Sequence, residues 1–361
     1  MALDASETTE DAEVPAELRR SRLSGHYTLT SEVIASSFGS TVFLGADRAS
    51  GAPVAVKLVQ KPQYEGPEAE EELQRSLEEL RLHAAVPPHP HVLRLLAAEE
   101  TPSSFLLVTP FVTGGNLWDV IKYGQTYPER EVHSCTSHLL AAVSHVHACG
   151  LVHGDLKPQN LLLEMVRGRY VMRLCDFGLA RYVGDADGRV EFTGLYGTPG
   201  WLAPEQILET DFGLAVDLFA CGLIVFQMLG GYKPFEPAAA CLEVAADFDE
   251  RYWCHTGAAC RDFVSTLLAT NPEERSTAKA LSEHPWLAGP PPLEPDDELM
   301  RRLAKSGGLP SKEVCFWPLA QVPRHLVSPA DDETPASPAC DLRETVLGEE
   351  LKRSLQVLPC H

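Results

Sequence analysis

The chain has 361 residues, of which 44% are hydrophobic and 22% charged; this is ordinary globular composition and excludes a collagen-like or wholly disordered protein. Acids outnumber bases 51 to 30, for a net charge of −21, so the molecular field opposes a nucleic-acid backbone and suits cationic peptides better. The apolar run Leu218–Leu229 is interrupted by Gln227 and falls well short of the roughly 20 residues of a membrane-spanning helix.

The opening MALDASETTE has neither the basic nor the apolar region of a secretory signal, and Ala2 stands where myristoylation needs glycine. Ten cysteines without a CxxC pair read as reduced thiols, and the expected compartment is the cytoplasm, with the nucleus as the other choice. Residues 1–18 hold six acids and no base, and residues 1–26 are expected to form a disordered acidic tail. TVFLGAD and PVAVKLV, separated by RASGA, predict a β-hairpin. The charged run EAEEELQRSLEELRLHAA places Leu73, Leu77 and Leu80 at helical spacing. VLRLLAAEE and SFLLVTPFV predict two further strands. Beyond Gly114-Gly115 the pattern turns helical: VHSCTSHLLAAVSHVHACG, then DLFACGLIVFQMLGG, apolar all round as a buried central helix would be. After Trp286-Leu287 the run AGPPPLEPDDE opens a Pro- and charge-rich tail, 288–361, expected to be mostly disordered with short helices near Asp297–Lys305 and Leu342–Leu358. Strands first and helices after predict an α+β fold with a small sheet lobe and a larger helical lobe.

One array of residues carries chemistry. His153-Gly154-Asp155-Leu156-Lys157-Pro158-Gln159-Asn160 is followed by Asp176-Phe177-Gly178 and Ala203-Pro204-Glu205, and preceded by Val54-Ala55-Val56-Lys57. In order and spacing this resembles the signature set of eukaryotic protein kinases. The resemblance covers about residues 27–287, with an N-lobe over about 27–112 and a C-lobe over about 113–287. GTPGWLAPE, GYKPFE and the stretch from Phe248 to His284-Pro285-Trp286 resemble the calcium/calmodulin-dependent serine/threonine group.

The resemblance implies ATP and magnesium, a protein substrate, and a role for each residue. Lys57 would meet the α- and β-phosphates, and Asp155 would accept the proton of the substrate hydroxyl. Asn160 and Asp176 offer hard oxygens to magnesium. Lys157 and Thr198 fit the serine/threonine class. Glu79 is the expected partner of Lys57, with Glu78 the alternative. Ile34, Val42, Ala55 and Leu163 would enclose the adenine, Thr109 would be a small gatekeeper, and backbone groups of Pro110 and Val112 would bond the base, with Asn116 just beyond. The same resemblance pairs Arg275 with Glu205 and makes Asp217 an organiser of the central helix.

Several positions depart from the family pattern. Counted back from Val42, the three glycines of the nucleotide loop become Ala35, Ser37 and Ser40, and Gly39 is out of register unless one residue is inserted. Gly154 replaces the arginine of His-Arg-Asp, so a phosphate on Thr193 or Tyr196 would lack its usual clamp, with Arg181 or Arg189 as partial replacements. Asn116 and Gln159 stand where basophilic relatives carry glutamate. The tail has eight bases against twelve acids and does not support a calmodulin-binding helix, which is usually basic and amphipathic. His89-Pro90-His91 and His145-x-His147 lack a third ligand for a metal. Two readings follow: an active serine/threonine kinase, supported by Lys57, Asp155, Asn160 and Asp176 together, or a pseudokinase binding module, suggested by the altered loop.

Overall fold

The computed structural model describes residues 16–37, 39–121, 123–166, 169–183, 188–191 and 196–289. The two expected tail helices and Thr193 lie outside the described residues. Strands β1 (Tyr27–Ser37), β2 (Ser40–Asp47) and β3 (Pro53–Gln60) form an antiparallel meander. Helix α2 (Pro67–Ala85) follows, then β4 (Ala97–Glu100) and β5 (Ser104–Pro110), completing a five-stranded sheet of order β1-β2-β3-β5-β4. Gly39 adopts φ +76° between Ser37 and Ser40, which pair across the turn; a hairpin this tight needs positive φ, which glycine supplies at little steric cost.

β3 shows how sequence becomes a two-sided sheet. Val54, Val56 and Leu58 are buried on one face, while Ala55, Lys57 and Val59 are half-buried on the other, the period-2 alternation of a pleated strand. The first face joins a core with Leu106, Val108, Phe43 and Tyr27. α2 packs on the second face, where Leu80 is buried with Leu95, Phe105 and Leu107.

The first face is sealed by residues expected to be tail. A one-turn helix, α1 (Ala16–Arg20), and a 3₁₀ turn, Arg22–Gly25, place Leu18 (0% exposed) and Leu23 (1% exposed) in that core. The buried Glu99 carboxylate accepts the N–H groups of Arg22 (3.0 Å) and Leu23 (3.1 Å), satisfying donors at the start of the turn. The expectation of a tail through residue 26 is therefore corrected: acid-rich composition hid two leucines that the open sheet face recruits by hydrophobic burial. Leu18→Ala is expected to lower unfolding free energy by about 2–5 kcal/mol, the range for deleting a fully buried leucine, seen as a lower urea midpoint.

Only the second half of VLRLLAAEE is a sheet strand. The Leu93 N–H bonds to Leu174 O, and Leu174 N–H to His91 O, both at 2.8 Å, so this backbone ties to the other lobe.

That lobe is helical. α3 (Leu117–Val120) and α4 (Glu129–Ala148) lead to a two-residue strand, β6 (Leu151–Val152). The hairpin β7 (Leu161–Val166) and β8 (Arg169–Leu174) follows, then β9 (Arg181–Tyr182) paired with β6. After α5 (Pro204–Ile207) comes α6 (Ala215–Gly230), buried from Val216 to its end. α7 (Glu250–Trp253) and α8 (Ala258–Leu267) pack on it, and α9 (Ala278–Ser282) and α10 (Pro285–Ala288) pack on α4. No described helix is long and apolar enough to cross a membrane.

Candidate active site

Lys57 rises from the half-buried face of β3 toward α2. Its Nζ lies 2.6 Å from Glu79 Oε1 and 3.5 Å from Asp176 Oδ1. Glu78 points elsewhere, toward Arg81 at 3.7 Å. Burial alone would lower the Lys57 pKa, but the carboxylates of Asp176 and Glu79 outweigh it and raise it. The same ammonium, acting against burial, holds Asp176 below its ordinary value. The Lys57 ammonium is thus retained.

Asp176 has φ +66°, a left-handed conformation that aspartate tolerates better than most residues. The next side chain explains what holds it. Phe177 is fully buried, its ring stacked on His83 at 4.7 Å and edge-on to His153 at 5.3 Å. His83, one turn beyond Glu79 on the same face of α2, was not among the expected site residues. Burial pushes its pKa down to about 4, so the neutral ring donates from Nε2 to Leu93 O at 2.8 Å. The column His83–Phe177–His153 links α2, and so Glu79, to the segment carrying Asp176.

The loop after β6 presents Asp155. Its Oδ1 accepts from Thr198 Oγ1 (2.6 Å), and its Oδ2 from Lys157 Nζ (2.6 Å). Lys157 also donates to Thr198 Oγ1 (2.7 Å), so the three side chains close a ring of charge-assisted bonds. Asn160 Nδ2 donates to Asp155 O (2.9 Å) and Oδ2 (3.3 Å). That orientation leaves Asn160 Oδ1 as a hard oxygen; with the Asp176 carboxylate it makes a donor set suited to magnesium, which keeps waters and phosphate oxygens as its other ligands. Among the described residues no group of three or more His, Cys, Asp or Glu side chains could hold a metal by itself.

Beneath the loop, Asp217 of α6 accepts the N–H groups of His153 (2.8 Å) and Gly154 (2.9 Å), and His147 Nε2 at 2.8 Å. Burial raises its pKa, but the bonds from His147 and the backbone prevail, and the net shift is downward. A carboxylate depressed in the folded state stabilises the fold above its unfolded value, about 3.9, and this contribution is lost as pH falls through the folded value. The stability gap between the native chain and Asp217→Asn is expected to be full above about pH 5 and to close below about pH 4, as read by urea midpoints across pH.

Across the cleft, Ile34 is buried with Leu44, Ala46 and Phe111, and Val42 and Ala55 pack against them. Ala55 pairs with Thr109 and Val54 with Pro110, while Phe111 N–H is committed to Pro53 O at 3.1 Å. Val112 forms a cluster with Leu93, Leu162 and Cys175. Two expectations are corrected here. Leu163 is fully buried in the core of the helical lobe, and its neighbour Leu162 faces Val112 and Cys175. Alternation along β7 allows only one of two adjacent leucines on that side, and the uniform run Leu161-Leu162-Leu163 carries no pattern that selects it. Asn116, expected beside the nucleotide, is fully buried as the N-cap of α3. Its Oδ1 accepts Asp119 N–H (3.1 Å), and its own N–H donates to Asp119 Oδ2 (3.3 Å). This is a capping box written as N-x-x-D.

Far from the cleft, Arg275 and Glu205 form a buried two-pronged pair, Nη1 to Oε1 at 2.7 Å and Nη2 to Oε2 at 2.9 Å.

Residues 31–287 match the family model described as the protein kinase domain. A serine/threonine-protein kinase of Drosophila persimilis is 33% identical over 302 residues, 80% of this chain and 37% of that protein. The calcium/calmodulin-dependent protein kinase type 1B of Rattus norvegicus is 33% identical over 271 residues, 73% of this chain and 76% of its own length. A Drosophila melanogaster serine/threonine-protein kinase is 30% identical over 302 residues, covering 80% of this chain and 38% of that relative. The chain thus spans little more than a third of the Drosophila relatives it matches. With the matched stretch containing the whole cleft just described, the chain belongs to the protein kinase family.

Proposed function

We propose that the protein is a serine/threonine kinase that transfers the γ-phosphoryl group of ATP to a protein hydroxyl. The observation that carries this reading is the simultaneous closure of two contacts, Lys57 with Glu79 and Asp155 with Lys157 and Thr198. A module that only binds partners has no need of both. Phosphoryl transfer asks chiefly for positioning and charge neutralisation. Lys57, fixed by Glu79, supplies a cation to the phosphates. Asp155 orients the incoming hydroxyl and accepts its proton, while Lys157 sits where it balances charge on the transferred group. Asn160 and Asp176 would hold magnesium, which when bound neutralises phosphate charge.

The altered nucleotide loop is the feature that favoured the pseudokinase reading. Its tip has glycine at the position with positive φ, Gly39, and beyond a register shift between Val33 and Ala35 the residues Ala35 and Ser37 pair with Val42 and Ser40. The loop therefore keeps the backbone freedom its turn requires. The deciding experiment is phosphotransfer from ATP to a mixed serine/threonine substrate, with and without magnesium, beside Asp155→Asn. Transfer that needs magnesium and is lost in the variant supports the proposal. A silent wild type, or equal activity in the variant, overturns it.

A further inference from the structure

Gly154 occupies the arginine position of the family motif, and the structure has filled the space that an amino-acid side chain would enter. Its φ is +76°, and a Cβ built there would lie 2.9 Å from Leu179 O and 3.0 Å from Tyr196 Cε1. The second neighbour is the informative one. The Tyr196 ring belongs to the segment just before Gly197-Thr198 and lies directly against the backbone of the loop bearing Asp155.

Tyr196 makes contacts in four directions. Its hydroxyl donates to Leu179 O at 2.6 Å, one residue past Asp176-Phe177-Gly178. The Arg181 guanidinium lies over its ring at 4.8 Å, and Arg181 itself pairs with Val152 in the β6–β9 ladder. Phe212 packs at 5.1 Å between ring centroids, and Gln206 Nε2 donates to Tyr196 O at 3.1 Å. Burial raises the phenol pKa, so the hydroxyl stays a donor. The residue as a whole is only 7% exposed, so the ring is held inside this packing.

We propose that Tyr196 is a positioning residue that locks the stretch Tyr196-Gly197-Thr198 to the Asp155 loop, taking the place of an arginine–phosphate contact. Arg181 is held by the tyrosine ring and the β9 strand, and Gly154 leaves room for the ring. In this arrangement one neutral aromatic side chain connects the loop of Asp155 to the segment after Asp176, while the main-chain carbonyl of Tyr196 is bonded to Gln206 of α5. The proposal rests on the kinase reading for its catalytic consequence but not for the lock itself.

The test uses the full chain, with Tyr196→Ala, Tyr196→Phe and Gly154→Ala. If Tyr196 acts by positioning, Tyr196→Ala lowers kcat by at least about tenfold while KM for ATP moves less than about twofold. Tyr196→Phe, which keeps the ring, restores kcat to within about threefold of wild type. Gly154→Ala, which pushes on the ring, lowers kcat in the wild-type background and does so less in Tyr196→Ala, because the two changes act on one contact. Phosphatase treatment leaves wild-type activity unchanged. The lock has an independent readout: tryptic cleavage after Arg189 becomes faster in Tyr196→Ala. Wild-type kcat together with an unchanged cleavage rate in Tyr196→Ala overturns the proposal, as does a tenfold loss on phosphatase treatment. Should the wild type show no phosphotransfer while cleavage still accelerates in Tyr196→Ala, the kinase reading fails and the lock stands.

Discussion

Lys57→Met is expected to lower phosphotransfer by at least about a hundredfold, the scale of removing one preorganised charged group from a transition state. Methionine fills similar volume but supplies no cation to the phosphates and leaves Glu79 and Asp176 without their shared partner. The variant should still fold. The lysine side chain is 29% exposed, that of Asp176 45% and that of Glu79 14%, so water reaches both freed carboxylates. Asp176→Asn should show a comparable loss. Asparagine is the right substitution because, like aspartate, it tolerates the left-handed backbone at this position, where alanine would add strain. Circular dichroism and thermal midpoints close to wild type, with phosphotransfer gone, constitute the expected result. Substantial activity in either variant would show that the phosphates are held by other groups.

The largest expected effect on stability lies outside the cleft. Arg275 has no exposed side-chain surface and Glu205 only 8%, and the guanidinium also donates to Ala269 O (2.7 Å), Ala215 O (3.0 Å) and Thr270 O (2.9 Å). Arg275→Ala leaves a buried carboxylate and three carbonyls without this donor. Breaking such a pair from one side costs about 3–5 kcal/mol, which equilibrium urea unfolding would report directly. Arg275→Lys keeps the charge but not the planar fork, and should fall between the two, since one ammonium cannot serve both carboxylate oxygens and three carbonyls. A wild-type midpoint in Arg275→Ala would show that the helical lobe does not depend on this link between α5 and the segment before α9.

Much of the candidate site was legible without coordinates because the signature of the protein kinase family constrains residue type and order together. Lys57 on a strand, Asp155 and Asn160 in one loop, and Asp176 before Phe177-Gly178 needed no fold to be recognised. Periodicity was equally direct for β3 and α6, whose burial follows the alternating and the all-apolar patterns they carry. Where the sequence offered adjacent residues of one type, it could not choose. Glu78 and Glu79 differ by one helical step of about 100°, and only the placement of α2 against β3 decides which reaches Lys57. Leu162 and Leu163 differ by one strand step, which reverses the face.

The chemical inventory of this protein, its two-lobed order and its central helix were determined by the sequence alone, since each rests on local spacing or on residue identity. The tertiary structure decided which carboxylate meets the lysine and which leucine faces the cleft. It also decided that Leu18 and Leu23 close the sheet, that Asn116 caps a helix, and that Tyr196 fills the space at Gly154. The physical reason is common to all of these: each depends on a contact between segments distant in the chain, and burial, hydrogen bonding and steric exclusion there are properties of the packed pair, not of either segment.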